Sequence, residues 1–375
     1  MKKVLFVIET YYQLMYASII NYYLKINSAQ TYIILCLDEK EIKKINLKEN
    51  AFDKIIKFEN RKKHGLGNFF EQVSFVKKNR KIWSQKFDVL ALFNDSRYLD
   101  GYLIKRMKKE YSSKIVLLEE GLALYLKNEY KLLGFKSKAK YFARKILAQI
   151  GGVNLPQYGL GYHISVDKIA LYSPDLIEKR KAEKKELIKL PNCSPPDKIM
   201  RQMMKIFNLE NETETKRYDC IYFGQSLSEL EGYEKENEDR FLNYLDYMTK
   251  QKKLKIAIKP HPFEDVNKYK KYSNFYIIEN NIIPAEILFY KMKIDIIITP
   301  FSSAARNINI WWKNEPIYIF ELLGIRIKLS GLNTVKTYDE FNSAIEKKLY
   351  QSRNKYKDYL DKDSEYSNMV LKILK

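Results

Sequence analysis

Short runs of β-branched and aliphatic residues recur along this chain, each followed by a longer amphipathic stretch. That alternation is what most constrains its fold. Parallel strands cannot be joined by a tight turn, so each needs a crossover, usually a helix lying on the sheet. The runs at 4–9, 31–38, 54–59, 88–94 and 114–120 predict one series of strands, with helices over 11–25 and 99–110 among the crossovers. A second series follows at 218–224, 254–260, 275–279, 295–300 and 316–321. Between them, "KLPNCSPPDK" (189–198) holds three prolines. Proline fixes φ and continues neither a helix nor a central strand, so the stretch reads as a linker. At 375 residues the chain exceeds the usual size of one core. The expectation is an α/β protein with an N-terminal domain over 1–190, a linker over 191–215, and a second domain over 216–375 that includes C-terminal helices. Two such doubly wound units would face each other across a cleft, and ligands of such sheets bind outside the carboxyl ends of the strands.

Charge narrows the partners without choosing one. The 67 Lys and Arg against 46 Asp and Glu give a net +21, a field that attracts nucleic acid, anionic headgroups, phosphorylated substrates or acidic polymers. No nucleic-acid-binding signature accompanies it, so nucleic acid is not an expected partner. Cys36, Cys193 and Cys220 are far apart and form no CxxC pair. That argues against a disulfide framework or zinc ribbon and for a reducing cytoplasm. The opening apolar run is broken by Glu9 and Thr10 and has no small-residue cleavage site after it, so it reads as a buried strand entering a helix. No stretch reaches the roughly 18 uncharged apolar residues of a membrane span. Residues 131–152 have a helical period, with Phe135, Phe142, Ile146 and Ile150 toward one face and Lys136, Lys138, Lys140, Arg144 and Lys145 around it. Such a helix suits an anionic membrane surface or an acidic polymer, but the expectation is the ordinary one, that it packs its stripe on the core and solvates its basic side.

Four strand ends carry candidate chemistry. In "LLEEGLALY" (117–125), Glu119 and Glu120 follow an apolar strand and precede Gly121. Alternate strand residues point to opposite faces, so one carboxylate faces the cleft, where desolvation and mutual repulsion would make a usable base. The bland alternative is a helix cap or solvated turn. In "IAIKPHPFED" (256–265), Pro260 and Pro262 hold Lys259 and His261 extended, presenting one of only three histidines past a strand end. It can donate to a phosphate oxygen, or simply be a buried imidazole satisfied by carbonyls. In "DIIITPFSSAARN" (295–307), Ser302 and Ser303 stand where a helix begins, so they cap it and also offer hydroxyls and backbone N–H groups to a phosphate. In "NNIIPAEILFYKM" (281–292), Glu286 lies in a helical first turn, favourable to the dipole and within reach of ribose hydroxyls in principle. "YFGQSLSE" (222–229) adds a glycine-bearing turn, Gly224-Gln225, at the same edge. There is no Walker A loop, GxGxxG, HExxH or CxxC, and the one DxD-like match, "DKD" at 361–363, lies in a charged segment away from any strand end.

In this order and spacing, Glu119-Glu120-Gly121, His261-Pro262 and Ser302-Ser303 resemble the bacterial sialyltransferases. The similarity is greatest to the capsule and lipooligosaccharide group, glycosyltransferase family 52, and to the related polysialyltransferases. "ETYYQLMYA" is similar to the T-x-x-Q-L stretch that opens many of those chains, and "YFGQSLSE" to their G-Q turn. The resemblance spans roughly residues 1 to 325. It implies a GT-B architecture and a cytoplasmic enzyme that moves sialic acid from CMP-sialic acid to a hydroxyl of a capsule or lipooligosaccharide glycan. The displacement would be single and inverting, with no metal and no cofactor besides the donor. Glu119 would be the general base, with Glu120 the second candidate; many relatives carry Asp where this chain has Glu-Glu. His261 would donate to the departing CMP phosphate, Ser302 and Ser303 would bind it, and Glu286 would hold the ribose. Lys259, Pro262, Gly224, Gln225 and Gly121 complete the expected substrate-binding positions. The basic surface suits a lipid-linked or anionic acceptor and peripheral contact with the inner membrane face, and relatives hint at homodimers. The alternatives are a hexosyl- or Kdo-transferase on the same scaffold, or a basic nucleic-acid- or glycan-binding protein without catalysis.

Overall fold

The computed structural model describes the chain apart from residues 38, 48–51, 59–64, 126–134, 157–159, 210–216, 229–232, 263, 281, 293, 326–332 and 353–362. It divides into two compact units, Met1–Asn208 with Lys362–Lys375, and Leu209–Asp361.

The first unit is built on a parallel seven-stranded sheet in the order β3-β2-β1-β4-β5-β6-β7. The strands are β1 (Lys3–Ile8), β2 (Gln30–Leu35), β3 (Lys54–Lys57), β4 (Val89–Leu92), β5 (Lys114–Leu118), β6 (Lys168–Leu171) and β7 (Glu186–Lys189). Val4 of β1 lies beside Thr31 on one flank and Val89 on the other. β4 is buried at every position, as expected of an inner parallel strand covered on both faces. The main covering helices are α1 (Tyr11–Ile26), α2 (Gly65–Lys78), α3 (Tyr98–Tyr111), α4 (Phe135–Ile150) and α5 (Asp197–Ile206). Because β1 leads to β2 on one side and β4 continues on the other, the strand order reverses between β1 and β4. A crevice opens at such a reversal.

The second unit repeats the plan with five parallel strands in the order β10-β9-β8-β11-β12. They are β8 (Cys220–Phe223), β9 (Ile256–Lys259), β10 (Phe275–Ile277), β11 (Ile296–Thr299) and β12 (Ile317–Tyr318). The longer helices are α6 (Lys235–Gln251), α7 (Ala285–Lys291), α8 (Ser303–Trp312) and α9 (Tyr338–Ser352). Here the order reverses between β8 and β11.

Three expectations need correction. The proline-rich stretch is not a linker: Pro196 caps α5, which buries Ile199, Met200, Met203 and Ile206 in the first unit, and the division falls between Asn208 and Leu209. Proline fixes a helix's first turn as readily as it interrupts a chain. The last helix, α10 (Asp363–Leu374), belongs to the first unit rather than the second. Its Tyr366 ring stacks on Tyr23 with centroids 5.6 Å apart, and the Tyr366 hydroxyl donates to the Cys193 carbonyl at 2.9 Å. Asp363, the described end of the DxD-like match, accepts from the Tyr23 hydroxyl at 2.6 Å and pairs with Lys198 at 3.2 Å. Finally, α4 forms as expected but turns Leu147 and Ala148 to the core. The stripe proposed to pack inward stands outward, with Phe142 60%, Ile146 42% and Ile150 78% exposed. The side chains of Phe135, Lys136, Lys138, Lys140 and Arg144 lie outside the described residues.

Candidate functional site

In the first unit the strand ends beside the reversal collect carboxylates. Glu9 and Thr10 follow β1. Thr10 is extended (φ −130°, ψ 161°) and caps α1 by accepting from the Gln13 N–H, while its hydroxyl donates to Glu120 Oε1 at 3.1 Å. Gln13 is 1% exposed and its Oε1 accepts from the Glu9 N–H at 2.6 Å. After β4, Arg97 forks onto Asp100 at 2.5 and 2.7 Å and pairs with Glu9. Burial pushes Asp100 up to about 6 against the pull of Arg97. Asp95 is buried and accepts from the Gly161 and His163 N–H groups at 2.9 and 3.0 Å, pinning that loop.

The two expected carboxylates part company at the end of β5. Glu119 is fully buried and accepts from the Tyr172 N–H at 2.8 Å and from the Tyr125 hydroxyl. Glu120 is half-buried. Burial raises it to about 7, offset in part by Gln13, Thr10 and Arg97, while Asp100 adds to the rise. Gly121 takes φ +110°, which lets the chain turn away directly after the pair.

In the second unit the expected residues assemble on three neighbouring strand ends. Gly224 follows β8, and its N–H donates to the Lys259 carbonyl at 3.0 Å. A Cβ there would overlap the Glu264 carboxylate and stand 2.5 Å from the Tyr269 hydroxyl. Gln225 beside it is half-buried. Lys259 ends β9; it is 9% exposed and burial lowers it to about 8, with Glu286 working against the shift. His261 is half-buried, and burial and then Lys259 lower its pKa, which favours the neutral imidazole. Pro262 is exposed. Past β11, Ser302 is 6% exposed and caps α8 through its backbone, its hydroxyl making no cap bond, and half-buried Ser303 begins the helix. The Thr299 hydroxyl donates to the Phe223 carbonyl and accepts from the Ser302 N–H, both at 3.0 Å, tying the ends of β8 and β11 together. Glu286, in the first turn of α7, is 1% exposed and raised to about 7 by burial. It accepts from Asn307 of α8 at 2.9 Å.

Several contributors escaped the sequence reading. Glu264 holds the His261 turn: its N–H donates to the His261 carbonyl at 3.0 Å, and its carboxylate accepts from the His261 N–H at 2.9 Å. The three-residue spacing in "HPFE" is that of a capping-type turn and could have flagged it. Arg97, Asp100 and Asn307 had no local signal, because only the fold brings them to these ends. A cavity of about 370 Å³ lies elsewhere in the first unit, lined by Lys189, Asn192, Glu365, Asn368 and Lys372, and contains none of the candidates.

Two parallel α/β units with polar groups gathered at their strand ends are the build of the GT-B proteins, and solved structures agree. A UDP-GlcNAc 2-epimerase from Neisseria meningitidis, bound to UDP-GlcNAc, is 13% identical with a TM-score of 0.58, over 99% of this chain and 98% of its own. Arabidopsis thaliana UGT89C1, complexed with UDP, is 9% identical with a TM-score of 0.53 over the full length of both chains. At such identity the likeness shows the fold. No curated protein matches the sequence significantly. The model of the alpha-2,8-polysialyltransferase family matches residues 4–306. The chain belongs to that family and is a sialyltransferase, a glycosyltransferase acting with a nucleotide-sugar donor and a glycan acceptor. Among the described residues, no helix is long and apolar enough to cross a membrane.

Proposed function

We propose that the protein transfers sialic acid from CMP-sialic acid to a hydroxyl of a bacterial surface glycan, in one inverting displacement that needs no metal. The observation that carries this reading is the convergence of Gly224, Lys259, His261 and Ser302 on adjacent strand ends of the second unit, at the point where strand order reverses. The departing CMP carries a single phosphate. Hydroxyls and N–H groups at the start of α8, the His261 ring and the Lys259 cation are donors suited to the charge that develops on it. A neutral imidazole offers one N–H to the leaving oxygen without needing to titrate. Glu286, buried and oriented by Asn307, accepts from ribose hydroxyls. A carboxylate of the Glu119-Glu120 pair in the first unit takes the acceptor proton. The outward Phe142, Ile146 and Ile150 of α4 support a peripheral seat on an anionic inner membrane face, where a lipid-linked acceptor would be found.

The test is CMP release from CMP-sialic acid in EDTA, with galactose-terminated and sialic-acid-terminated acceptors. Release in EDTA that falls on the order of 10²–10⁴-fold in His261→Ala is the expected result. Release only from UDP-hexoses or CMP-Kdo would move the reading to another sugar on this scaffold. The absence of both release and CMP binding would overturn it.

A further inference from the structure

We propose that Thr10 and Gln13, in the first turn of α1, are positioning residues that hold Glu120 as the carboxylate receiving the acceptor hydroxyl's proton, while Glu119 serves the sheet. The inference rests on the sialyl-transfer reading above.

Glu119 and Glu120 are sequence neighbours with opposite surroundings. The Glu119 carboxylate joins three pieces of backbone. It takes the N–H of Tyr172 just past β6 and the hydroxyl of Tyr125, and that hydroxyl accepts in turn from the Ser173 N–H at 3.1 Å. With no exposed surface and its Oε2 held by both donors, it has no path to an acceptor hydroxyl. Glu120 keeps exposed surface and meets α1 instead.

The α1 contact is directional. The Glu9 N–H fixes Gln13 Oε1, so the amide nitrogen must face the other way, toward Glu120. That nitrogen is buried and makes no hydrogen bond, although it lies near enough to favour the ionised Glu120. An orphaned buried donor is costly, and a bond that tightens only when substrate arrives is a common state of a catalytic site. The other charged groups facing Glu120 come from the start of α3: Arg97, which favours its ionised form, and Asp100, which opposes it. Both are locked to each other, and Arg97 also to Glu9. The result is a carboxylate near neutrality, the range in which a base both accepts and sheds protons. In the transfer, the acceptor oxygen bonds to the anomeric carbon and the bond from that carbon to the CMP phosphate oxygen breaks. Its electron pair leaves on the phosphate, and the acceptor's proton passes to Glu120 and then to water. The T-x-x-Q spacing places a hydroxyl and an amide on one helical turn above the same carboxylate.

The experiment is the pH profile of kcat/KM for CMP release, with the folded fraction of each variant checked by thermal melting. Glu120→Gln is expected to lower kcat on the order of 10²–10⁴-fold. Gln13→Leu and Thr10→Val each remove a donor that favours ionised Glu120. Their acidic limbs should therefore move up by about half to one pH unit, with roughly two- to fivefold lower activity near neutrality that recovers at higher pH. Thr10→Ser, which keeps the hydroxyl, should restore the wild-type limb; a residue that only caps α1 would lower the melting temperature without moving it. Glu119→Gln should lower the melting temperature most and reduce kcat of the folded protein less than tenfold. An active wild type whose limb is unmoved in both Gln13→Leu and Thr10→Val overturns the inference, as does a folded Glu119→Gln enzyme that loses more kcat than Glu120→Gln. If the wild type itself releases no CMP, it is the transfer reading that falls.

Discussion

The two units share one architecture and differ in what they place at the reversal of strand order. The first gathers carboxylates, with Glu9, Asp100 and Glu120 around a single guanidinium, Arg97. The second gathers donors, with Lys259, His261 and the Ser302 end of α8, while its nearby carboxylates are already engaged: Glu286 is buried and accepts from Asn307, and Glu264 accepts from the His261 N–H. A parallel sheet fixes where a ligand can approach; the side chains past each strand then decide whether that place draws protons or anions. On the reading proposed above, the first set of side chains suits proton removal and the second suits phosphate departure.

The contrast can be broken most sharply by putting an acid into the second unit. Ser302→Asp sets a carboxylate at the position proposed for the CMP phosphate, and CMP affinity measured by calorimetry should fall on the order of 100-fold or more. Unchanged affinity would remove α8 from the donor site. Gly224→Ala is the next largest effect. Its methyl group runs into Glu264 and Tyr269, and overpacking of this kind costs about 1–3 kcal/mol. A lowered melting temperature together with weaker CMP binding would show that the turn and the His261 loop move as one. The smallest effect is a titration. Lys259 sits at about 8 in the folded protein, below its ordinary value, so its charge is present below that pH and lost above it. CMP affinity should drop a few-fold as pH rises through about 8, and Lys259→Met should flatten that part of the profile.

Much of this contrast was legible in the sequence, for a physical reason. Buried parallel strands are continuous apolar runs, so β1, β2, β4, β8, β9 and β11 announced themselves, and residues just past such runs were the natural places to look. β6 and β7 were missed. β7 is an edge strand flanked by Glu186 and Lys189 that fully buries only Ile188, so it makes no apolar run, and the apolar run of β6 is as short as residues 169–171. The linker was misplaced because three prolines mark a break in regularity without saying whether the chain leaves the domain. The division of labour between Glu119 and Glu120 was out of reach, since besides Tyr125 in the same stretch it depends on Tyr172 and Thr10, which are far from both carboxylates in sequence. The exposed stripe of α4 was misassigned because periodicity identifies an apolar face but not what faces it.

The return of α10 to the first unit has a consequence for how the chain is made. The second unit, Leu209–Asp361, is an insertion between residue 208 of the first and its final helix. During synthesis the inserted unit is therefore fully translated before the Tyr16, Tyr23 and Cys193 surface receives Tyr366 and Met369. Until then a tyrosine-rich face of the nascent first unit stands open, a vectorial delay in which chaperones, rather than its own last helix, would have to shield it.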